Sequence, residues 1–310
     1  MKFNSKKFIH LRNYSQYSLS KGAIKINELL ELCSKNKIPA TSITDFHNLF
    51  GSMEFSIECQ EFGVQPIIGC NLFLSDTRFM DGHLLLIAKD KSGFENLSKL
   101  VSISYLENSN FNNPFVSFNN LKTYSNGLIC LGGGESGVIT RNFLGGEKKK
   151  SSKLISLLGD IYEDDFFLEI QRVNQNQISY ENFLINSSIK KNIPLVATNE
   201  NYFLERSFFN THDALLSISQ QKYLDSEDRM KSSNEYYFKS SDEMFRIFRD
   251  IPDSCFNTIA ISKKCSLLIK EKKPSLPKIY FKGSDENTQL KKKSMDGLLD
   301  RLKNIVNIKN

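Results

Sequence analysis

The apolar and polar positions of the chain alternate between helical spacing and short, nearly uninterrupted apolar runs. Residues 24–36 show the helical spacing clearly, with apolar side chains at i, i+3, i+4 and i+7: Ile26, Leu29, Leu30 and Cys33. Further helices are predicted at 50–62, 93–107, 152–158, 178–190 and 206–219. Strands are predicted at 40–44, 66–70, 83–88, 128–131, 166–171 and 194–198. This alternation favours an α/β fold with parallel strands joined by helical crossovers, and six or seven strands suit a barrel better than an open sheet.

Beyond residue 225 the strand pattern fades and helical signals remain. Ser240 with Glu243 forms a capping box, and Pro252 suits a helix first turn. Residues 270–286 contain two prolines and no period, which predicts an extended linker. The last helix, about 287–306, is apolar enough to need a partner, either the body of the protein or something beyond residue 310. We therefore expect a barrel over about 1–205, a helical extension over about 206–269, and a linker with a helix over 270–310.

Composition narrows the class of protein. Forty per cent of residues are apolar and 25% are charged, as in ordinary globular proteins. No apolar run is long enough to span a membrane, and the N-terminus lacks the apolar region of a signal peptide. The cysteines contain no CxxC pair, which predicts reduced, buried thiols in a cytoplasmic protein and disfavours a zinc site: Cys33, Cys59, Cys70, Cys130, Cys255 and Cys265.

The formal net charge of +6 permits an anionic partner without requiring one. The lysines are spread along the chain, with local runs at Lys148–Lys150 and Lys291–Lys293. Taken alone, each run is better explained as solvated surface. A DNA-binding accessory domain is therefore kept as an alternative that rests on charge only.

Reactive groups of parallel α/β barrels gather where the strands end, so these positions are where chemistry is expected. A multinuclear metal centre needs several imidazoles and carboxylates that converge. The strand ends offer Asp45, His83 and Glu200, with His10 and His47 nearby in sequence, which is too few. The glycine-rich segment 132–136 lacks the Gly-Lys-Ser/Thr of a phosphate loop and predicts a flexible turn. His212 and Asp213 fall in a helical pattern, where a capping or packing role outweighs catalysis.

Several long segments, in order and at similar spacing, resemble the amino-terminal PHP (polymerase and histidinol phosphatase) domain of the bacterial replicative DNA polymerase III alpha subunits. The segments cover nearly the whole chain and include "FIHLRNYSQYSLSKGAIKINELLELCSKNKIPATSITDFHNLFGSMEFSIECQEFGVQPIIGC", "HLLLIAKDKSGFENLSKLVSISYLE", "FFLEIQRV", "IPLVATNENYFLERSFFNTHDALLSI" and "YYFKSSDEMFRIFRDIPDSCFNTIAISKKC". The resemblance implies a distorted (β/α)7 TIM-like barrel, followed by a helical lead-in to a palm domain that is absent from these 310 residues.

Family members with an intact site have about nine metal ligands, mostly histidines with some acidic residues. By resemblance, two ligand positions are retained here, Asp45 and His83, and one carboxylate is altered, Glu200. Six ligand positions are lost, being occupied by Arg12, Tyr14, Phe46, Asn71, Val173 and Tyr202. Phe46 and Val173 cannot coordinate a metal, and Arg12 would repel a divalent cation at close range. The resemblance therefore implies that no metal and no catalytic residue belongs to this chain.

The function implied by the resemblance is that of the full-length subunit, a DNA-directed DNA polymerase of the cytoplasm that uses Mg²⁺ in its palm. In that setting this chain would be a structural module. Its partners would be the proofreading exonuclease (epsilon-type) subunit, the rest of the polymerase III holoenzyme and, through the full-length subunit, DNA; no membrane is implied. The sequence does not identify the exonuclease-binding or DNA-binding residues. The alternative from another class is a stand-alone PHP metal-dependent phosphoesterase or 3′–5′ exonuclease.

A last expectation concerns the altered site itself. Asp45, His83 and Glu200 each adjoin a predicted strand, so they should lie near one another at one barrel mouth. Arg12 should lie there too, where its guanidinium would pair with Asp45 and Glu200 and replace metal coordination by charge-assisted hydrogen bonds.

Overall fold

The computed structural model describes residues 7–107, 114–173, 178–271, 273–274, 279–281 and 283–307. The chain divides into two units, Met1–Lys270 and Glu271–Asn310. The helices in the described residues are α1 (Ile26–Lys35), α2 (Ser52–Phe62), α3 (Lys91–Leu106), α4 (Phe118–Thr123), α5 (Val138–Leu144), α6 (Lys148–Tyr162), α7 (Ile178–Lys191), α8 (Phe209–Ser219), α9 (Ser241–Ile247), α10 (Asp253–Lys264) and α11 (Glu286–Asn307). The strands are β1 (Ala40–Ile43), β2 (Gln65–Leu74), β3 (Gly82–Ala88), β4 (Leu128–Gly133), β5 (Phe166–Ile170) and β6 (Leu195–Ala197).

The six strands form one sheet in chain order, β1 to β6. Pairing is parallel between β1 and β2, between β4 and β5, and between β5 and β6. Strands β1 and β5 are buried at every position, as expected where helices cover the outer face of a sheet and side chains fill its inner face. This architecture confirms the expected distorted α/β barrel.

One strand departs from the predicted all-parallel arrangement. β3 is antiparallel to both β2 and β4. The reason is the connection between β2 and β3, residues 75–81, which contains no helix and is shorter than the roughly dozen residues that a parallel crossover needs. Because β3 runs backwards, its first residues lie at the edge where the other strands end. His83 is therefore at that edge and pairs in register with Phe73 of β2.

The two ends of the sheet are joined by the N-terminal segment, residues 8–15. Asn13 forms a parallel bridge with Asn201, which follows β6. The Thr44 N–H, just after β1, donates to the Asn13 carbonyl at 2.9 Å. The Asn13 side-chain amide donates to the carbonyl of Ser42 at 2.8 Å. Segment 8–15 thus occupies the position of a further strand and closes the barrel at the mouth.

The helices confirm most of the sequence patterns. The four apolar positions predicted for α1 are all buried: Ile26, Leu29, Leu30 and Cys33. Helix α2 ends at Gly63, whose φ of 66° is a left-handed conformation that glycine adopts without strain. Ser240 and Glu243 form the predicted capping box at the start of α9. Helices α4 and α5 were not predicted, because each is only about two turns long and shows too few apolar positions to establish a period.

The structure tests two further expectations, on the cysteines and on the glycine-rich segment. All six cysteines are unpaired and buried, as predicted. The glycine-rich segment predicted as a flexible turn instead begins inside the sheet, because Gly132 and Gly133 belong to β4. In the part of the chain that the structure describes, no helix is long and apolar enough to cross a membrane.

The described part of the second unit contains α11 and short stretches of the segment before it. Residues 272, 275–278 and 282 of the predicted linker lie outside the described residues. Asp285 accepts a hydrogen bond at 2.6 Å from the N–H of Thr288, which caps the helix start. The apolar side chains noted in the sequence are all exposed: Leu290, Leu298, Leu299, Leu302 and Ile305.

Candidate functional site

A cavity of about 260 Å³ opens at the mouth of the barrel, where the N-terminal segment meets the ends of the strands. This mouth cavity is lined by side chains that include Lys21, Phe46, His83, Glu135, Glu200 and Tyr202. His83 and Glu200 thus share one cavity, as the sequence analysis expected. The third expected member, Asp45, is not among its lining residues.

A buried ion pair between Arg12 and Glu169 lies next to Glu200, one of the residues that line this cavity. Both side chains are almost completely inaccessible to solvent, at 1% and 0% exposure. The guanidinium binds the carboxylate through two nitrogens: Nε donates to Oε1, and Nη2 donates to Oε2 at 2.8 Å. Burial would lower the pKa of Arg12, but the carboxylate of Glu169 holds it well above its ordinary value. Arg12 therefore remains a fixed cation.

The surroundings of Glu169 complete this network. Its Oε1 also accepts a hydrogen bond from Thr198 Oγ1 at 2.5 Å, which connects β5 to the residues after β6. Gly134, whose φ is 72°, lies on the other side of the guanidinium. A Cβ at Gly134 would lie 3.2 Å from Arg12 Nη2 and would crowd it. The glycine at this position thus leaves room for the Arg12 guanidinium.

The expected pairing of Arg12 is confirmed for one carboxylate only. Arg12 Nη1 lies 3.7 Å from Glu200 Oε1, a looser contact than the bidentate pair with Glu169. Burial raises the pKa of Glu200, and Arg12 only partly offsets that effect. Asp45 is not a partner of Arg12, contrary to expectation.

Asp45 instead organises the turn that follows the N-terminal segment. Its Oδ1 accepts from the Ser15 N–H at 2.7 Å and from Ser18 Oγ at 2.6 Å, and its Oδ2 accepts from Ser15 Oγ at 2.7 Å. Burial raises the pKa of this carboxyl, and the bonds from Ser18 and Ser15 act in the opposite direction. Because serines saturate its oxygens, Asp45 is a structural carboxylate in this arrangement.

Three residues at positions where the resemblance implies a lost ligand form an aromatic stack. The ring of Tyr14 lies between Phe46 and Tyr202, with centroid separations of 4.5 and 4.6 Å. Tyr14 Oη accepts from Arg12 Nη1 at 2.8 Å. The Asn71 amide lies 3.0 Å from Tyr14 Oη. With the amide flipped, which satisfies its neighbours better, its oxygen accepts from Tyr14 Oη and, at 3.2 Å, from Arg12 Nη1. Five of the six such positions, all except Val173, are thereby joined in one connected cluster.

Two imidazoles remain beside this stack. The rings of His47 and His83 are 5.7 Å apart, and the Nδ1 atom of each is buried without a hydrogen-bond partner in the described structure. Burial lowers the pKa of His83 to about 3 and that of His47 to about 4. Lys21, whose Nζ lies 4.4 Å from the ring centroid of Phe46, acts in the same direction on both. Both rings are neutral near pH 7.

The other histidines have structural roles. His10 is buried, its Nε2 donates to the carbonyl of Lys239 at 2.7 Å, and its Nδ1 accepts from the Asn201 amide at 2.8 Å. His212 Nε2 contacts the carbonyl of Lys21 at 2.7 Å, and Asp213 pairs with Arg229. These contacts agree with the packing role expected for the pair in α8.

The mouth residues do not fit a multinuclear metal centre. Such centres need several neutral imidazoles and free carboxylates aimed at one point. Here a permanent cation, Arg12, lies against Glu169 and near Glu200, and the carboxylates of Glu169 and Asp45 are already hydrogen-bonded. Within the described ranges, no three His, Cys, Asp or Glu side chains converge as metal ligands. Val173, half-buried in a bend after β5, offers no ligand atom.

The main residue that sequence reasoning failed to single out is Glu169. It lies in a predicted strand, but the sequence analysis did not identify it as a partner for Arg12. A buried acidic residue in an otherwise apolar strand, "FFLEI", is the signal that could have identified it, because such a group requires a cationic partner.

Comparison with known proteins places these features in context. The PHP domain family model matches residues 10–173, more than half of the chain. The DNA polymerase III subunit alpha of Caulobacter vibrioides is 34% identical over 307 residues, covering 96% of this chain and 27% of that protein. The protein of the same name from Rickettsia bellii is 36% identical over 297 residues, covering 95% of this chain and 25% of that protein. The chain thus spans about a quarter of the length of these relatives.

Among solved structures, similarity extends to a protein from Bifidobacterium adolescentis that is described as a metal-dependent phosphoesterase. The two chains are 13% identical, with a TM-score of 0.44, and the match covers 62% of this chain and 86% of that one.

Proposed function

Because the chain belongs to the PHP domain family, we propose that it acts as the PHP portion of a DNA polymerase III alpha subunit, in which the hydrolytic metal site has been replaced by an internal ion pair. Nucleotide addition to DNA would be performed, with Mg²⁺, by parts of the full-length subunit that these residues do not contain. The supporting relatives are alike in name and match nearly the whole of this chain.

The observation that carries the proposal is the bidentate contact between Arg12 and Glu169. It puts a fixed positive charge where the family has a ligand, and it uses a buried carboxylate that would otherwise need a cation. Tyr14, Phe46 and Tyr202 fill the adjoining space with stacked rings. The arrangement supports a module that contributes stability and contact surface instead of phosphoester hydrolysis.

Metal content tests the first half of this proposal. The purified chain, incubated with Zn²⁺, Mn²⁺ or Fe²⁺ and then desalted, is expected to retain no stoichiometric metal by elemental analysis. A PHP phosphoesterase with an intact ligand set, treated in parallel, is the positive control. Two or more tightly bound ions per chain would overturn the proposal and favour the stand-alone phosphoesterase or 3′–5′ exonuclease, for which the neutral His47 and His83 are the best remaining ligands.

Primer extension tests the second half. The chain alone should add no nucleotides to a primed template, since it lacks a segment resembling the acidic palm strand of the family. Extension that persists through successive purification steps and co-elutes with the chain would show that the catalytic residues have been misplaced.

We also propose that the module docks the proofreading exonuclease subunit and works in the cytoplasm as part of the holoenzyme. Both statements extend the family resemblance. Size-exclusion chromatography of this chain mixed at micromolar concentration with the exonuclease subunit of the same organism should yield a joint peak. Separate elution of the two proteins would argue against docking through this part of the subunit.

A further inference from the structure

A strongly basic groove lies away from the mouth cavity, between the start of α6 and the end of α7. Its volume is about 790 Å³. Four lysines line it against one glutamate: Lys148, Lys149, Lys190 and Lys191, with Glu147. We call this the lysine groove.

The positive charge of the lysine groove is largely free. Glu147 is already engaged, since its carboxylate lies 3.3 Å from Lys150 Nζ. Within the described residues, Lys148, Lys149 and Lys190 form no ion pair, and all three are exposed. Lys191 donates to Ser156 Oγ at 2.7 Å, which ties the end of α7 to α6 without neutralising the charge. The two lysine pairs thus line one groove whose single lining carboxylate, Glu147, is already paired with Lys150.

Helix electrostatics make the α6 lysines unusual. Lys190 and Lys191 lie in the last turn of α7, where the helix dipole favours cations. Lys148–Lys150 lie in the first turn of α6, where the dipole and the free backbone N–H groups disfavour them. The N-cap residue, Glu147, is acidic, but its side chain makes no cap hydrogen bond and lies against Lys150. A bound anion would satisfy both the ammonium groups and the helix start.

The lining favours a phosphate backbone over a protein partner. Protein interfaces depend on apolar or aromatic anchors that become buried in pockets. The aromatic side chain of the groove, Phe183, is only 8% exposed and has Lys148 Nζ 5.8 Å from its ring centroid. The remaining lining is small or polar, including Ser152 and Asn186. Binding to phosphates requires no apolar anchor, because counterion release supplies most of the affinity.

We propose that the lysine groove binds the phosphodiester backbone of a nucleic acid without sequence preference. The sites of contact are the ammonium groups of Lys148, Lys149 and Lys190, with the first-turn amides of α6 beside them. This inference goes beyond the structural role proposed above and does not depend on the absence of metal.

The test compares two triple variants of the whole chain by fluorescence anisotropy with labelled oligothymidylate and a short DNA duplex. The first variant is K148Q/K149Q/K190Q. The matched control, K99Q/K122Q/K263Q, removes the same charge from exposed lysines on other helices. The groove variant should bind on the order of tenfold more weakly at low salt, and the slope of log affinity against log salt should fall by about 2 for the single strand. The control should retain the affinity of the parent.

Each outcome either supports the proposed binding to the lysine groove or overturns it. Equal loss in both variants would reduce the effect to overall charge and overturn the proposal, as would failure of the parent to bind at low salt. Polyglutamate that displaces the labelled oligonucleotide more strongly than unlabelled oligothymidylate at equal charge concentration would assign the groove to an acidic polypeptide instead. As a measurement on the unmodified chain, DNA should protect Lys148, Lys149 and Lys190 from acetylation while leaving Lys122 and Lys263 reactive. Uniform labelling with and without DNA would refute the groove as the contact site.

Discussion

Replacing Arg12 by methionine should destabilise the protein severely, because it leaves Glu169 charged and buried. The side chains of both partners are almost fully inaccessible, and the guanidinium supplies two of the hydrogen bonds to the carboxylate. Removing one partner of a buried ion pair typically costs about 3–5 kcal/mol. Glu169 keeps the bond from Thr198 in the variant, so the lower end of that range is expected. For a domain with a total stability of roughly 5–15 kcal/mol, this is a large fraction.

The assay is urea unfolding followed by circular dichroism at pH 7 on four proteins: the parent, R12M, E169Q and the double variant R12M/E169Q. If the two residues are coupled as the structure shows, the losses in free energy of unfolding of R12M and E169Q should sum to more than the loss of the double variant. The double variant should recover about 1–3 kcal/mol relative to the sum of the singles, because it leaves neither charge unpaired.

Arg78 provides a control for the loss of an arginine ion pair as such. It binds Asp76 through Nε and Nη2 at 2.7 and 2.8 Å, but its side chain is 51% exposed. R78M should unfold at nearly the same urea concentration as the parent. The reasoning fails if R12M is as stable as R78M, or if the losses in R12M and E169Q simply add in the double variant.

Three further changes test the surroundings of the mouth. Burial lowers the pKa of His10 in the folded protein to about 4, whereas the unfolded value is near 6.5. The neutral ring therefore contributes stability above pH 6.5, and this contribution is lost as the pH falls towards 4. In urea titrations, the free energy of unfolding of H10Q should fall by about 2 kcal/mol less than that of the parent between pH 7 and 5. D45N turns an amide towards the donors of Ser15 and Ser18, and should lower the free energy of unfolding by about 1–3 kcal/mol with no change in metal content. S240A removes the cap of α9 and should cost about 1 kcal/mol by the same measurement, whereas an unchanged value would mean that the capping box is formed without stabilising the helix.

The sequence predicted the order and type of the long elements because each has a clear period. It missed the reversal of β3, although the short connection between β2 and β3 carried the information. The error had no effect on the expected position of His83, because a strand that runs backwards places its first residue at the edge where its neighbours end. Chain direction is thus a property of connection length that apolar patterning alone does not specify.

The sequence predicted several residues of the site, but only some of the contacts that they make. Residue type and strand position sufficed to bring Arg12, Tyr14, Phe46 and Glu200 together. They could not say which carboxylate would take the guanidinium, since that depends on side-chain reach across the barrel. The serines that saturate Asp45 lie in the N-terminal turn, and only the tertiary structure shows that their hydroxyls point at it.

The ion pair at the mouth explains how a barrel built around metal ligands can keep its shape without them. In family members with an intact site, a metal centre joins the segments whose ends meet at the mouth. Here Arg12 joins the N-terminal segment to β5 through Glu169, and Thr198 extends that connection to the residues after β6. Asp45 secures the adjoining turn. A guanidinium makes these connections at any metal concentration, but it supplies neither an exchangeable ligand nor an activated water. Under the proposed function, the same replacement that preserves the fold also removes the means of hydrolysis, and the two properties should be separable only by restoring the imidazoles and the carboxylates together.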